Sequence, residues 1–270
     1  MSTIFVTGAT GRVGRHVISG LLQRDVEVRA LTRHPGKAGL PAGVDVVAGD
    51  VADPQDLAKH LNGVDAVFLL WPFFGADGAV EAVATLTART RRIVYLSAEA
   101  AGKRPDSFWA TVERAIERSA AEWTFLRPTG FAANTLMWAD QIRASGVVRW
   151  PYGHAARSLI HERDIAAVAV RALTENGHHA ARYVLTGPAA ITQIAQAGAI
   201  GDALGRRVSW EELSREEAEQ QITGLPDTAL DTWASFVETP EVVTSVVEQL
   251  TGEPATPFDQ WARDHVEDFR

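Results

Sequence analysis

Three glycines near the amino terminus have the spacing of a loop that binds phosphate. Gly8, Gly11 and Gly14 follow the apolar run at residues 4–6, and the apolar periodicity of a helix begins at Val13. Residues without a Cβ permit a tight turn, and the free N–H groups at the start of the next helix attract an anion. The pattern therefore predicts a dinucleotide site in preference to an ordinary strand–turn–helix corner. The predicted cofactor-binding residues of this loop are Gly8, Thr10, Gly11, Arg12, Val13 and Gly14.

The residues after the second predicted strand indicate which dinucleotide is preferred. A site for NAD usually places Asp or Glu here, where the carboxylate accepts a hydrogen bond from the ribose 2′-hydroxyl. Residues 31–34 read LTRH and contain no carboxylate. Arg33 offers a planar fork of donors to a 2′-phosphate, and Arg12 can reach the same group. The sequence therefore favours NADP(H) over NAD(H), the alternative being a surface arginine and loose selectivity.

Short strands alternate with helices through the first two thirds of the chain. The predicted strands are 3–7, 26–32, 44–48, 65–70, 92–97 and 123–126, with a late strand near 182–186. The predicted helices lie near 13–24, 54–62, 77–90 and 107–121. The segments VDAVFLL and RRIVYLS are nearly continuous in apolar residues, which is typical of parallel strands covered on both faces. The alternation predicts an α/β fold with a doubly wound parallel sheet, whose strands 1, 4 and 5 end along one crevice.

The regular alternation of strands and helices ends near residue 130, which predicts two regions with different roles within one compact unit. Residues 1–130 form the predicted nucleotide-binding core, and 131–270 form a small, mostly helical lobe interleaved with late core elements. Residues 192–270 are predicted to be helical, with a capping box at Ser214 and Glu217 and a helix start at Thr256–Pro257. Asp164 is predicted to cap the helix that follows it. We expect a monomer or a homodimer.

Composition and charge exclude several classes of protein. The chain has no cysteine, which excludes disulfides, thiolate nucleophiles and zinc sites built on sulfur. No apolar run approaches the roughly 18 residues of a membrane span, and the first residues lack the pattern of a secretory signal. Of the net charge of −8, residues 206–270 carry −10 (5 basic and 15 acidic side chains), which leaves about +2 for the rest. We expect a cytoplasmic protein that binds a small molecule, not nucleic acid or membrane.

Five segments together resemble the NmrA-like branch of the atypical short-chain dehydrogenase/reductases. They are TGATGRVG (7–14), AGDVADPQDL (48–57), LRPTGFAAN (126–134), HERDIAAVAVRAL (161–173) and YVLTGP (183–188). The resemblance covers most of the chain and implies a Rossmann core with NADP(H) in the crevice and a substrate lobe at the carboxyl end. That branch contains both reductases and non-catalytic sensors.

The resemblance also implies further contacts with the cofactor. Asp50 and Val51 would lie near the adenine, although Asp50 is equally well explained as a helix-entry cap working with Asp53. The end of the fourth strand would line the ribose and nicotinamide, and Ser97 would bring a hydroxyl near the reacting carbonyl. The residues at the end of the fourth strand are Leu70, Trp71 and Pro72.

The tyrosine–lysine pair of the larger superfamily is missing. Its motif has lysine four residues after tyrosine, whereas Tyr95, Tyr152 and Tyr183 are followed at that distance by Glu, Ala and Gly. Tyr95 and Tyr183 lie in predicted strands and are expected to be structural. The candidate catalytic residues are Ser97 and Tyr152, with His161 or a bound water as further proton donors. Residues 161–164, HERD, lack metal-site spacing, and no metal is predicted.

A set of aromatic and polar residues is predicted to line the substrate pocket, with burial in the core as the open alternative. The set consists of Trp109, Phe131, Asn134, Trp138, Trp150 and Tyr152. Phe108 joins Trp109 as a possible apolar wall at the nicotinamide, and Glu113 is expected to be a surface or structural carboxylate rather than a general acid. A wall of this kind suits a flat apolar substrate.

Two functions are consistent with these residues. The first is an NADPH-dependent reductase of a small cyclic or aromatic carbonyl or quinone-like substrate, because hydride transfer depends chiefly on the cofactor and on orientation. The second is a non-catalytic, NADP(H)-binding redox sensor, which the missing tyrosine–lysine pair favours. The aromatic segment favours the reductase, since a sensor has little use for a substrate pocket.

Overall fold

The computed structural model describes residues 1–222, 224 and 228–270. Its strands are β1 (Ser2–Val6), β2 (Val26–Thr32), β3 (Val44–Ala48), β4 (Ala66–Leu70), β5 (Arg92–Leu96), β6 (Glu122–Pro128), β7 (Val147–Trp150), β8 (Ala156–Arg157), β9 (Ala181–Leu185), β10 (Ile191–Thr192) and β11 (Ser209–Glu212). Its α-helices are α1 (Arg12–Leu21), α2 (Pro54–His60), α3 (Ala79–Thr87), α4 (Ala100–Lys103), α5 (Phe108–Glu117), α6 (Ala139–Ser145), α7 (Glu162–Thr174), α8 (Gln193–Leu204), α9 (Arg215–Gln221), α10 (Ala229–Glu238), α11 (Val246–Thr251) and α12 (Phe258–Asp264). None of the helices among these residues is long and apolar enough to cross a membrane.

Seven strands form one parallel sheet in the order β3-β2-β1-β4-β5-β6-β9. The chain moves outward from β1 to β3 and then returns to the other side of β1 with β4, so the strand order reverses between β1 and β4. Ligands of doubly wound sheets bind at this reversal, outside the carboxyl ends of the strands. The prediction of a doubly wound parallel sheet is confirmed, and each of its seven strands lies within two residues of the predicted bounds.

Two helical layers cover the sheet because its strands are apolar on both faces. On one face α1 packs against α7, and α7 also contacts β4, β5 and β6. On the other face α2, α3 and α5 pack over a buried cluster that includes Phe5, Leu69, Tyr95 and Phe125. The short helix α4, between β5 and α5, is absent from the sequence prediction.

The chain divides into two compact units. The first comprises residues 1–128, 162–185 and 249–252, and therefore contains the whole parallel sheet. The second comprises residues 129–161, 186–248 and 253–270. Its core contains four buried tryptophans, Trp138, Trp150, Trp233 and Trp261.

The second unit corrects the expectation that residues 192–270 are helical throughout. β11 lies in this range and pairs in parallel with β7, and β10 pairs antiparallel with β8. These strands have two to four residues, too few to show an alternation in the sequence. Distant partners stabilise them, which local propensity does not reveal. Residues 223 and 225–227 of the predicted helical region lie outside the described residues.

Of three predicted helix starts, one is confirmed, one is wrong and one lies one residue too early. The capping box is confirmed, since Ser214 Oγ accepts from Glu217 N and the Glu217 carboxylate accepts from Ser214 N. The Asp164 cap is wrong, because α7 already begins at Glu162 and Asp164 lies within its first turn. The start at Thr256–Pro257 is one residue early, since Pro257 is itself the N-cap of α12. Proline fits there because the N–H that it lacks has no partner within a helix.

Candidate cofactor site

The glycine loop leaves no room for a side chain at two of its positions. Gly8 has a φ of +60°, in the left-handed region, and a Cβ there would lie 3.0 Å from the Cβ of Leu70. A Cβ on Gly14 would lie 2.2 Å from the carbonyl oxygen of Gly8. The same oxygen accepts a hydrogen bond of 3.0 Å from Gly11 N. The start of α1 therefore lies directly against the turn that ends β1.

Thr7 fixes this turn to the neighbouring strand. Its backbone N–H donates to the carbonyl oxygen of Phe68 over 3.0 Å. Its buried hydroxyl accepts from Leu70 N over 2.8 Å and donates to Leu70 O over 3.1 Å. These bonds join the carboxyl ends of β1 and β4, where the strand order reverses. Thr7 has no role predicted from the sequence, although its place between the strand and the first glycine is a signal.

The start of α1 is open to an anion. Gly11 is the N-cap residue, and no side chain of the described residues caps it. The first-turn N–H groups therefore keep their positive partial charge for a ligand. Arg12 and Arg33 are exposed, and the side chain of neither makes a hydrogen bond or ion pair with another described residue. These groups fit a pyrophosphate at the helix start and a 2′-phosphate beside Arg33, which follows the adjacent strand β2.

Arg15 supports the loop from outside. Its guanidinium donates to the carbonyl oxygens of Thr10, Gly39 and Ala38 at 3.0, 2.8 and 2.7 Å. The three bonds tie the glycine loop to the segment that follows β2. Arg15 is not among the residues predicted from the sequence, because nothing local distinguishes it from a solvent-facing arginine of α1.

The residues after β3 separate the two interpretations of Asp50. Asp53 is the N-cap of α2, with its carboxylate accepting from Gln55 N at 2.8 Å and from Asp56 N at 3.3 Å. Asp50 instead accepts from Ala52 N at 3.0 Å, in the turn before the helix. Asp50 is thus not the cap, and its contact with adenine remains a prediction. Val51, beside it, is buried in the core cluster.

A buried ionic network lies at the carboxyl ends of β5 and β6. Glu113 on α5 is 4% exposed and forms a two-point ion pair with Arg127, of which the Nε–Oε1 distance is 2.9 Å. Ser97 Oγ donates to Glu113 Oε1 over 2.6 Å. The hydrogen bonds that Arg127 donates to the Glu113 carboxylate raise the pKa of Arg127. Glu113 is therefore a structural carboxylate, as expected, although it lies inside the protein and not on its surface.

This network determines what Ser97 can do. A hydroxyl has one proton, and Ser97 donates it in the hydrogen bond to the Glu113 carboxylate. Its remaining lone pairs can accept a hydrogen bond, for example from a ribose hydroxyl or a carboxamide. To act as the proton donor considered from the sequence, Ser97 would have to break its hydrogen bond to Glu113.

The tyrosines of the first unit are structural, as predicted. Tyr95 is fully buried in β5, its hydroxyl has no hydrogen-bond partner among the described residues, and burial together with the charge of Glu113 raises its pKa. The hydroxyl of Tyr183 lies 2.9 Å from His178 Nδ1. His178 is half-buried, and this burial lowers its pKa, whereas its neighbour His179 is exposed.

The residues at the end of β4 differ in how far they are buried. Trp71 is buried and its Nε1 donates to the carbonyl oxygen of Gly75 over 2.8 Å, whereas Pro72 is exposed. Leu70 contacts the glycine loop as described above. Trp109, at the start of α5, is half-buried and packs with Phe108 against the core cluster. Because Trp109 is partly buried and partly open to solvent, its position is consistent with a core residue and with a residue that lines the pocket.

The other predicted pocket residues belong to the second unit. Trp138 and Trp150 are buried, with ring centroids 6.4 Å apart, which favours the core interpretation. Phe131 is half-buried and Asn134 is exposed. Tyr152 is half-buried with a φ of 58° and packs against the buried cluster of the second unit. These contacts give Tyr152 a structural role within its unit, and a role in catalysis remains a prediction.

His161, named as a further proton donor, is also in the second unit. It is buried, and its Nε2 lies 3.3 Å from Asp264 Oδ2. Within the described residues, no group of three or more His, Cys, Asp or Glu side chains is arranged to hold a metal ion.

A doubly wound sheet with a tight glycine loop at its strand reversal defines a dinucleotide-binding Rossmann protein. Residues 8–176 match a family model described as NAD(P)H-binding. The chain is 42% identical over 223 residues to the (4-alkanoyl-5-oxo-2,5-dihydrofuran-3-yl)methyl phosphate reductase of Streptomyces griseus, covering 80% of this chain and 78% of that protein. It is 36% identical over 231 residues to the NAD(P)H azoreductase of Xenophilus azovorans, covering 82% and 81%. The chain belongs to this NAD(P)H-binding family, in the NmrA-like branch of the atypical short-chain dehydrogenase/reductases.

Solved structures agree with this assignment. The NADPH-dependent quinone oxidoreductase of Escherichia coli, complexed with NADPH, has a TM-score of 0.81 at 28% identity and covers 97% of this chain and 99% of its own. The triphenylmethane reductase of Citrobacter sp., complexed with NADP(H), has the same fold, with a TM-score of 0.80 at 24% identity and coverages of 97% and 99%. The family and the NADPH complex favour NADP(H), in agreement with the sequence prediction.

Proposed function

We propose that this protein is an NADPH-dependent reductase of a planar cyclic carbonyl or quinone-like compound. The observation that carries the proposal is the glycine loop, closed by Gly14 against Gly8 and flanked by the unpaired Arg12 and Arg33. Its support is that relatives 42% and 36% identical are named as reductases, one of them an NAD(P)H azoreductase.

The cofactor, when bound, supplies the hydride. The chain's own contribution begins with the first-turn N–H groups of α1, which hold the pyrophosphate, while Arg33 and Arg12 pair with the 2′-phosphate. Ser97 accepts a hydrogen bond from the ribose or the carboxamide, held in position by Glu113 and Arg127. Together these contacts orient the nicotinamide against the acceptor.

The hydrogen bonding of Ser97 favours a substrate that needs no acid catalyst. A quinone that accepts a hydride becomes a hydroquinone monoanion, whose charge is delocalised over the ring, and it then takes one proton from water. The oxidised cofactor and the hydroquinone are the products, and two electrons have moved. A plain ketone would produce an alkoxide and would require a donor that Ser97 does not provide.

Two measurements test the proposal. Calorimetric titration with NADPH, NADP⁺, NADH and NAD⁺ is expected to give at least tenfold tighter binding of NADPH than of NADH. Loss of nicotinamide absorbance is then expected with 1,4-naphthoquinone and much less with an aliphatic ketone. Strong preference for the oxidised nucleotides without turnover of either acceptor would instead identify a sensor. Binding of none of the four would overturn both functions.

A further inference from the structure

Two exposed aromatic side chains stand at the carboxyl end of β4. The chain has 8 Trp, 3 Tyr and 10 Phe, all among the described residues, and of these only Phe73 and Phe74 are exposed. Phe74 is 92% and Phe73 39% exposed. Large apolar side chains exposed together mark a binding surface more often than chance placement does.

The surrounding rings hold these two in place. Trp71 contacts Phe73 edge to face, with centroids 5.1 Å apart, and its bond to Gly75 O closes the loop at its base. Phe74 contacts Phe108 at 6.4 Å and a right angle, and Phe108 in turn lies 4.1 Å from Trp109. We name these five residues, Trp71, Phe73, Phe74, Phe108 and Trp109, the aromatic surface.

The aromatic surface is fixed to the core of the first unit. Trp71 belongs to the buried cluster over the sheet, and Phe108 and Trp109 pack against that cluster. Ser107 caps α5 by accepting from Ala110 N at 3.3 Å, which fixes the point where Phe108 enters the helix. The buried and half-buried rings therefore anchor this surface to the core, while Phe74 is almost fully exposed to solvent.

We propose that the aromatic surface binds the planar ring system of the substrate, and that it selects fused-ring acceptors over single-ring ones. This inference rests on the proposed reductase function. The surface begins at Trp71, the residue next to Leu70, and the Leu70 side chain lies where a Cβ on Gly8 of the cofactor loop would meet it at 3.0 Å. Ring edges and an open ring face offer offset or edge-to-face contacts to a second flat ring system.

The size of the patch favours a small molecule over a protein partner. A phenylalanine side chain buries roughly 150–250 Å² at most, so these two, one of them partly covered, offer roughly 300 Å². A stable protein–protein interface buries about 800 Å² on each partner. A fused two-ring compound matches the smaller area.

The test uses the full-length protein and three variants, Phe74→Ala, Phe74→Leu and, as matched control, Val80→Ala, which changes an exposed apolar residue of α3. Binding of 1,4-naphthoquinone is measured by ligand-observed NMR in the presence of NADP⁺, and NADPH binding by calorimetry. We expect F74A to weaken naphthoquinone binding tenfold or more, F74L to weaken it less, and V80A to leave it unchanged. NADPH affinity should stay within about twofold of that of the parent protein, and the melting temperature within about two degrees, as expected for a substitution at an exposed site.

Turnover adds a second measurement. In F74A the ratio of kcat/KM for 1,4-naphthoquinone to that for 1,4-benzoquinone is expected to fall at least fivefold. Unchanged naphthoquinone binding and ratio in F74A would overturn the inference while leaving the reductase intact. Weakened NADPH binding in F74A would identify Phe74 as a cofactor contact. A change from dimer to monomer would identify it as an oligomer contact. Either result would also overturn the inference. Absence of turnover in the parent protein refutes the proposed function alone, because naphthoquinone binding is measured without it.

Discussion

At the scale of single residues, function depends on short distances that permit one side chain and not another. The carbonyl oxygen of Gly8 leaves no space for a methyl group on Gly14, and Ser97 donates its one hydroxyl proton to the Glu113 carboxylate. Such contacts give predictions that separate binding from folding.

Substitution of Gly14 by alanine is expected to abolish tight cofactor binding. The new Cβ would lie 2.2 Å from the Gly8 carbonyl oxygen, so that the loop must open. We expect at least a hundredfold loss of NADPH affinity by calorimetry, about 2.7 kcal/mol. Gly198→Ala is the control, because its Cβ meets nothing within 4 Å in α8. Equal NADPH affinity in both variants would contradict the role of the loop.

Arg33 is expected to determine the preference for the 2′-phosphate. Arg33→Asp removes a donor fork and provides an acceptor for a ribose hydroxyl, so the ratio of NADH to NADPH affinity should rise tenfold or more, about 1.4 kcal/mol. Arg89→Asp makes the same charge change in the exposed connection before β5, at the amino ends of the strands. A selectivity shift of equal size in both variants would indicate a general charge effect, and no shift in R33D would refute the assignment.

Glu113→Gln is expected to destabilise the protein by about 3 kcal/mol, because it leaves the mostly buried guanidinium of Arg127 without its counter-charge. Chemical unfolding measures the loss. The matched change Glu117→Gln breaks the more exposed pair with Arg182 and should cost no more than about 1 kcal/mol. Similar losses in the two variants would mean that burial of the Glu113 network contributes nothing.

At the scale of elements, the strands of the sheet were predictable and their surroundings less so. Runs such as residues 66–70 are apolar throughout, because helices cover both faces of a parallel strand, and this composition is visible without any partner. The helix α4 and the strands β7, β8, β10 and β11 are short, and pairing or packing with distant segments determines them. Local sequence therefore gave the framework of the first unit but missed the small sheets of the second.

Helix α2 provides a test at this scale, since two aspartates precede it. Asp53→Ala removes the N-cap and should lower the free energy of unfolding by about 1 kcal/mol. Asp50→Ala loses only a turn contact with Ala52 N, so its effect on unfolding should be smaller. If Asp50 contacts the adenine, D50A instead weakens NADPH binding, which calorimetry would detect. A larger loss of stability in D50A than in D53A would reverse the assignment of the cap.

At the scale of the whole molecule, the pH dependence of stability reports on a half-buried histidine at the edge of the sheet. Burial lowers the pKa of His178 from the ordinary value of 6.5, so the folded state resists protonation that the unfolded state accepts. The contribution is fully present above pH 6.5 and is lost as the pH falls through the lowered pKa. The free energy of unfolding should therefore decrease across that window.

Chemical unfolding at a series of pH values checks this expectation. His178→Asn should flatten the decrease below pH 6.5. Tyr183→Phe removes the hydrogen bond at 2.9 Å but keeps most of the burial, so it should retain most of the slope. An unchanged slope in H178N would show that other groups cause the acid sensitivity.

The sequence by itself determined the parallel sheet, the glycine loop and the preference for NADP(H). These depend on local features: apolar runs, residues without a Cβ, and the absence of a carboxylate after β2. Only the tertiary structure placed Glu113 between Ser97 and Arg127, buried Trp138 and Trp150, and left Phe74 exposed. Burial and hydrogen bonding of a side chain depend on segments far away in the chain, and a pattern read along one segment does not contain them.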